Sequence, residues 1–425
     1  MSQKMFSEQV TVCEQCDQVN PMPDLQSGER LRCTHCDHIL VSVHSYAPRR
    51  ILSFGLSCVL MLLLAISFPF LSFATNGVER SVTLIDTLTV LLGQGYLILG
   101  AVISLALFVF PLVYLSSILF LVLSFRHSNV FNKAQRYCVR WLLVVQPWLM
   151  VDVFLVGILV ALVKVNSLAD IELGLSFWAF CGYVLLLLKT VSLVDKRWLW
   201  HQVAGAAMNP TVDMGNAQSQ GLIGCHFCGA VLSDDHQHCQ RCGHSIYTRR
   251  PRSLSTTLAL LIAALVMYIP ANVFPIMQTT FLGNTEPSTI MGGVFLLWSL
   301  ESYPVALVIF VASVVIPLAK IAALFWLIWQ CYFPSRHLTK QKMKLYRLTE
   351  LVGRWSMIDV FVVAVLTSMV QMGNLMAIYP GPAVLSFTSV IILTMLAAMS
   401  FDPRLLWDRD RYENDVYNKG AKRER

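Results

Sequence analysis

The sequence predicts an all-α polytopic membrane protein: eight transmembrane helices as two tandem four-helix repeats, each preceded by a small cytoplasmic ribbon built on four cysteines. Three observations carry that expectation. The 425 residues are 56% hydrophobic and 13% charged, against about 25% charged in a soluble domain. Eight of the 12 cysteines fall in four Cys-x-x-Cys pairs. Landmarks of the first half recur in the second at a nearly constant distance. Such a composition excludes a disordered chain, a fibrous protein and an ordinary soluble enzyme.

Residues 1–50 form the first expected unit, with Cys13, Cys16, Cys33 and Cys36 as two knuckles separated by sixteen residues. They are polar, so the run from Ile51 to Phe73 is expected to act as its own insertion signal rather than follow a cleaved leader. A span needs about 20 apolar residues. In the first repeat, 51–195, four runs qualify: 51–73, 96–125, 141–164 and 174–195. The polar linker 196–254 holds the second set, Cys225, Cys228, Cys239 and Cys242. The second repeat, 255–403, has spans at 255–277, 304–331, 352–372 and 383–400, and a basic tail follows at 404–425.

The repeat is read from matched landmarks. Pro111 answers Pro317, PWLMVD ending at Asp152 answers RWSMID ending at Asp359, and Asp195, Arg197 and Trp200 answer Asp402, Arg404 and Trp407. The offset is 206 or 207 throughout. An even number of spans per half gives both halves one orientation, a parallel repeat about an axis along the membrane normal. Of 32 lysines and arginines, 27 lie in the N-terminal segment, the 126–140 loop, the linker, the 332–350 loop and the tail, all on one side; the opposite loops hold only Arg80. The positive-inside rule puts that side, with both termini and both cysteine modules, in the cytoplasm. The net charge of +7 is accounted for in the same way. Arg49, Arg50, Arg249, Arg250 and Arg252 sit just before spans, so no nucleic-acid partner is expected.

A reducing compartment favours metal ligation over disulfides. Two knuckles complete a tetrahedron of thiolates with no open position, which implies one structural zinc per ribbon. The nearby histidines are expected at the surface or behind the ligands, and Cys58, Cys138, Cys181 and Cys331 are expected to pack as small apolar groups.

Ionisable groups within spans cost at least ~2.5 kcal/mol and mark function by default. Lys320 and Asp359 lie within the second repeat, with Ser313 and Ser356 on the corresponding helical faces and Thr394 in the last span. These five are the expected intramembrane polar network, either a transport and coupling device or a packing pair. Asp152 and Lys164 are secondary candidates; Lys164 and Lys189 sit nearer span ends, where a lysine can snorkel. The first half has Tyr114 and Leu149 where the second has Lys320 and Ser356, so chemistry is expected in the second half. Prolines at 69, 111, 147, 270, 275, 304 and 317 are expected to break or kink helices. No phosphate loop, HExxH or GxSxG is present, so no enzymatic activity is expected.

The doubled ribbon and the stretches GRWSMIDVFVVAVL and DPRLLWD resemble the paraquat-inducible protein A family of Gram-negative inner membranes. The resemblance covers nearly the whole chain. It implies lipid handling: an inner-membrane subunit that loads or unloads phospholipids at an MCE-domain partner with a periplasm-spanning tunnel, supporting envelope integrity. It further implies that the eight cysteines are zinc ligands and that Ser313, Lys320, Ser356, Asp359 and Thr394 are the family's polar positions. The rival reading is a non-transporting scaffold or stress sensor recruiting partners through its ribbons.

The topology is checked by cysteine labelling. An impermeant thiol reagent applied to intact spheroplasts should label cysteines placed at Gly77 or Asn284 and should not label Lys340→Cys. The reverse pattern would overturn the orientation.

Overall fold

The computed structural model describes residues 10–23, 25–43, 47–75, 78–93, 95–127, 133–165, 170–205, 213–281, 284–299, 301, 303–333, 339–369 and 376–408. Eight helices among them are long and apolar enough to cross a membrane.

The first ribbon consists of two hairpins, β1 (Val10–Val12) with β2 (Val19–Pro21) and β3 (Arg30–Arg32) with β4 (Ile39–Ser42). The first membrane half then runs α1 (Ala47–Ser67), β5 (Leu71–Thr75), β6 (Val78–Val82), α2 (Leu84–Gly93), α3 (Leu97–Ser104), α4 (Phe110–His127), α5 (Lys133–Val145), α6 (Val151–Val165), β7 (Asp170–Leu173), α7 (Leu175–Leu193) and α8 (Lys196–Ala204). The second ribbon carries one hairpin, β8 (Leu222–Gly224) with β9 (Val231–Ser233). The second half repeats the order: α9 (Ser253–Val273), β10 (Met277–Phe281), β11 (Asn284–Ser288), α10 (Ile290–Ser299), α11 (Tyr303–Phe310), α12 (Ile316–Tyr332), α13 (Thr339–Trp355), α14 (Ile358–Met369), β12 (Met376–Pro380) and α15 (Ala383–Ser400).

Elements of the second half begin 206 residues after their counterparts up to α13, and α14 begins 207 after α6. Arg140 and Arg347, inside these helices, are already 207 apart, so the offset changes before them; the two helices then end differently at Pro147. Proline has no N–H to continue the ladder, so α5 stops at Val145 and a short 3-10 turn, Gln146–Trp148, follows, whereas α13 continues to Trp355. Both helices begin well before the apolar runs. Their first turns carry Lys133 and Arg136, or Lys340 and Lys342, so these are amphipathic entries that charge-based span counting omits.

The segments opposite the ribbons are not plain loops. The first span ends at Ser67 instead of 73 because Pro69 follows, and the residues after it become β5. Each half closes there with a three-stranded antiparallel sheet, ordered β6-β5-β7 and β11-β10-β12. The ten-residue apolar helices α2 and α10 follow each hairpin and are too short to cross. Gly77 lies outside the described residues.

The outer faces of α1, α7 and α9 expose Leu56, Leu60, Leu185, Ile262 and Ile269, as a lipid-facing belt requires. Inside, α1 lies along α7, and α9 along α15. The halves meet through α6 and α14. Phe154 and its repeat counterpart Phe361 make an edge-to-face pair with centroids 5.3 Å apart. Gly157 permits the approach, since a Cβ there would stand 3.0 Å from the Phe361 Cβ. On the sheet side, Tyr96 donates to the Pro380 carbonyl at 2.8 Å and Ser368 to Thr87 at 3.2 Å, across the same junction.

Two further glycines make the sheet-to-helix corners possible. A Cβ at Gly174 would lie 2.1 Å from the Pro69 oxygen, and one at Gly381 would lie 2.1 Å from the Pro275 oxygen. Backbone at that distance cannot yield without moving the sheet. Gly174→Ala and Gly381→Ala should each destabilise their half by about 1–3 kcal/mol, read as lower membrane accumulation and a lower unfolding temperature in detergent. Unchanged stability for both would refute the close packing at these corners.

Candidate functional site: two thiolate centres and a buried polar network

All four Cys-x-x-Cys knuckles share one backbone design. The first cysteine accepts from the residue four positions on: Asp17 to Cys13 (2.9 Å), Asp37 to Cys33 (3.0 Å), Gly229 to Cys225 (2.8 Å) and Gly243 to Cys239 (2.7 Å). That closing residue is left-handed in every case, with φ of 53°, 60°, 74° and 69°. Glycine, or an aspartate that tolerates this region, is what the position requires. The turn aims both thiols inward.

In each set the four sulfurs lie within 4.8 Å of one another. Cys13–Cys36 and Cys16–Cys33 are 3.5 Å apart; Cys225–Cys242 and Cys228–Cys239 are 3.6 and 3.5 Å. A tetrahedral ion with bonds of about 2.3 Å needs sulfur–sulfur edges of about 3.8 Å, so both sets could hold a metal ion. Only cysteines form these two groups. The histidines stand outside them: Phe227 stacks on His244, His35 packs on Trp407, and burial pushes His226 down to about 4. Of the single cysteines, Cys58 is buried and Cys138, Cys181 and Cys331 are half-buried.

Each ribbon docks on the half it does not immediately precede. Ribbon one lies against the second half, where Cys13, Cys16, Cys33 and Cys36 share a core with Leu261, Tyr346, Phe401 and Trp407. Ribbon two lies against the first half, its cysteines packed with Trp198, Leu199 and Trp200. Repeat-related arginines secure both contacts. Arg347 donates to the Cys36 carbonyl and to Gln15 at 2.8 Å each, and reaches the Cys36 sulfur at 3.6 Å. Arg140, its counterpart, donates to the Cys242 carbonyl. Four thiolates around a divalent ion carry excess negative charge, and a cation against each set offsets it.

A charged knot completes the arrangement. Asp17 accepts from Arg249 at 2.5 Å and from Arg404 at 3.4 Å, Arg404 also pairs with Asp402 at 2.9 Å, and Arg249 with Asp408. Burial raises the Asp402 carboxyl, but hydrogen bonds and charge from Arg404 outweigh it and hold the group below the usual carboxylate range. In the first half Arg197 occupies the space left by Gly229, where a Cβ would sit 3.0 Å from its Nε. The sequence pattern Asp-x-Arg-x-x-Trp, present twice, marked the repeat; that its arginines seat the opposite ribbons was not read from it.

The structure brings the five predicted polar residues into one buried region of the second half. Pro317 opens α12, and the turn before it, Val311–Val315, is a π-bulge, as is Leu105–Val109 before Pro111. Proline cannot bond the carbonyl four residues back, so a widened turn takes up the mismatch. Ser313 lies in that turn and donates to Asp359 at 2.5 Å. Lys320, 3% exposed, donates to Thr394 at 2.9 Å, to Ser356 at 3.4 Å and to the Gly353 carbonyl at 3.5 Å. None of these lysine hydrogen bonds goes to Asp359: aspartate and lysine take separate hydroxyl partners, with Ser356 and Asp359 one turn apart, rather than forming the direct pair the sequence suggested. In the first half the corresponding residues are Leu107, Tyr114, Leu149, Asp152 and Leu187, so Asp152 alone keeps its charge. Asp152 is in the first turn of α6 and Lys164 near its end, the Lys164 side chain falling outside the described residues.

The profile of paraquat-inducible protein A matches residues 49–204 and again 254–410. The chain belongs to the paraquat-inducible protein A family. It is 40% identical over 400 residues to the intermembrane transport protein PqiA of Escherichia coli K12, covering 94% of this chain and 95% of that one. It is 29% identical to a probable intermembrane transport protein of Haemophilus influenzae, over 94% and 96% of the two chains. It is 28% identical to the lipophilic envelope-spanning tunnel protein A of Escherichia coli K12, over 93% and 90%. No solved structure matches. The two profile matches coincide with the two membrane halves and leave the ribbon cysteines outside.

Elemental analysis of the purified protein should give about two metal ions per chain. Cys36→Ser should lose one of them and, because ribbon one sits on the distant half, should expose α13 and α15 to protease before α5 and α7. Loss of protection confined to the first half would contradict the exchanged docking.

Proposed function

We propose that this chain is an inner-membrane lipid transporter subunit that loads or unloads phospholipids at a periplasm-spanning MCE tunnel partner. Both ribbons hold one structural zinc and face the cytoplasm, and the sheets face the periplasm. Relatives named for intermembrane transport and for an envelope-spanning tunnel support this reading, and so does the concentration of positive charge on the ribbon side. The observation that carries it is the asymmetry of the halves: a lysine and an aspartate with hydroxyl partners are buried in one, and aliphatic or aromatic side chains fill four of the five equivalent places in the other. A bilayer protein retains such a costly centre for what it does. The ribbons' repeat-related contacts run inward, with Arg140, Arg347, Trp200 and Trp407 engaged between ribbon and membrane half, which favours transport over the scaffold reading.

Within this proposal the zinc ions hold each ribbon in shape and leave no open position for chemistry. The work falls on the side chains. Lys320 holds its ammonium against Thr394, Ser356 and the Gly353 carbonyl, and Asp359 holds Ser313 in the widened turn. A proton arriving at Asp359 removes its charge, adds an O–H donor and weakens its hold on Ser313, which gives movement of the π-bulge a route to couple to the proton gradient.

Asp359→Asn and Lys320→Ala should each abolish complementation of an envelope-sensitivity phenotype while the protein still accumulates in the membrane. A packing role predicts the opposite: each single variant lowers abundance by leaving a buried group unsatisfied, and Lys320→Met with Asp359→Leu restores it. A double variant that is well expressed and fully active would eliminate the transport role of the network.

A further inference from the structure

We infer that the chain holds one zwitterionic phospholipid with a primary-amine headgroup in a cleft between the two membrane halves, at the level of the ribbon-side leaflet. The inference rests on the transport reading and supplies the site at which a lipid would be taken from, or returned to, that leaflet.

The cleft has a volume of about 400 Å³ and lies among the end of α5, the start of α6, α7, α13 and α15. That size is typical of a small-molecule site. Its wall is apolar, with Leu149, Leu187 and Val191 from one half and Met395 from the other. Leu188, Leu351 and Met399 are lining residues that are also exposed, so the mouth opens sideways where acyl chains would lie.

Four charged residues line this space: Asp152, Arg347, Glu350 and Arg354. Arg347 is occupied by ribbon one. Among the described residues neither Asp152 nor Arg354 makes a side-chain hydrogen bond or an ion pair within 4.0 Å, although Arg354 acts through its charge on Glu350 one turn before it. Their isolation has a structural origin. Asp359 receives the hydroxyl of Ser313, but Leu107 stands at the corresponding place for Asp152. At the position matching Arg354 the first half has Pro147, whose 3-10 turn ends α5 early and lines the cleft.

A carboxylate without a partner and a guanidinium offset only by Glu350 keep unused hydrogen-bonding capacity beside an apolar wall, and a single ligand can engage both. A phosphodiester accepts from Arg354. A primary ammonium carries three donors and suits Asp152, with Glu350 nearby. The glycerol of phosphatidylglycerol offers these carboxylates only neutral hydroxyls, a weaker match that leaves their charge uncompensated. A quaternary ammonium has no N–H to donate.

The test is photocrosslinking of the full chain in vesicles of equal phosphatidylethanolamine and phosphatidylglycerol, with a photoreactive residue in place of Leu188. The same residue in place of Leu185, which is exposed on the outer face of α7, reports the bulk lipid. The expected result is enrichment of phosphatidylethanolamine at Leu188 over Leu185 by about tenfold, the effect of one charge-assisted hydrogen bond. Asp152→Asn should remove the enrichment, Asp152→Glu should keep it, and Arg354→Gln should reduce capture of both lipids. Metal content and membrane accumulation show that the variants fold. Bulk composition at Leu188, or enrichment that survives Asp152→Asn in a folded protein, overturns the site. If Asp359→Asn abolishes complementation and no enrichment is found, this inference fails alone. If Asp359→Asn complements fully while enrichment persists, the transport reading fails and the lipid site stands.

Discussion

Hydrocarbon offers no hydrogen-bond partner, and the whole fold is arranged around that constraint. Where a span is unbroken, the helix satisfies itself. Where Pro111 and Pro317 remove a donor, a π-bulge absorbs the defect in both halves. In the second half the defect is put to use, because Ser313 sits in the widened turn and gives its proton to Asp359. Where chains leave the helices on the sheet side, three strands pair instead of ending in open loops. Gly174 and Gly381 let the backbone turn back into α7 and α15 within touching distance of a carbonyl.

Duplication followed by divergence explains the rest of the asymmetry. Backbone features recur at fixed offset: corner glycines, π-bulges, sheets, and the arginine that meets a knuckle carbonyl. Such features serve the fold, and both copies need them. The side chains of the polar centre recur only at the aspartate. The buried phenol of Tyr114 fills the volume that Lys320 occupies in the other half, and its hydroxyl has no hydrogen-bond partner. Filling a polar pocket with an aromatic ring preserves packing and discards chemistry.

Much of this was legible in the sequence. Apolar runs, the 206- or 207-residue offset and the cysteine spacing are one-dimensional signals of strong periodicity, and each corresponds to an observed helix, repeat or thiol cluster. Ser313, Lys320, Ser356, Asp359 and Thr394 could be grouped because helical spacing and membrane cost both select them. Three things could not be read. The amphipathic starts of α5 and α13 are too charged for a span count. The strands are five residues or fewer and lie between apolar runs, where alternation has no length to show itself. The partner of a buried charge depends on rotamer and helix rotation, so Lys320 turned to Thr394 and Ser356 instead of to Asp359.

The exchanged docking of the ribbons bears on why the two halves behave as one body. A ribbon held to its own half would leave the junction to α6, α14 and a few contacts on the sheet side. Exchange makes each half's ribbon-side end depend on the other's module. The two ribbons also join each other, through Val10, Val12 and Val19 against Ala217, Leu222 and Val231, and a Cβ at Gly224 would stand 3.0 Å from Val12. Asp17 ties a knuckle of ribbon one to Arg249 beside ribbon two and to Arg404 after α15. A ribbon folded around an ion would be stiff. The halves are thus bridged on the ribbon side, and within the membrane α6 packs along α14, with Phe154 edge-to-face on Phe361. With Tyr96 on Pro380 and Ser368 on Thr87 at the sheet end, the halves are tied at three levels, so relative movement of one against the other requires all three sets of contacts to give together.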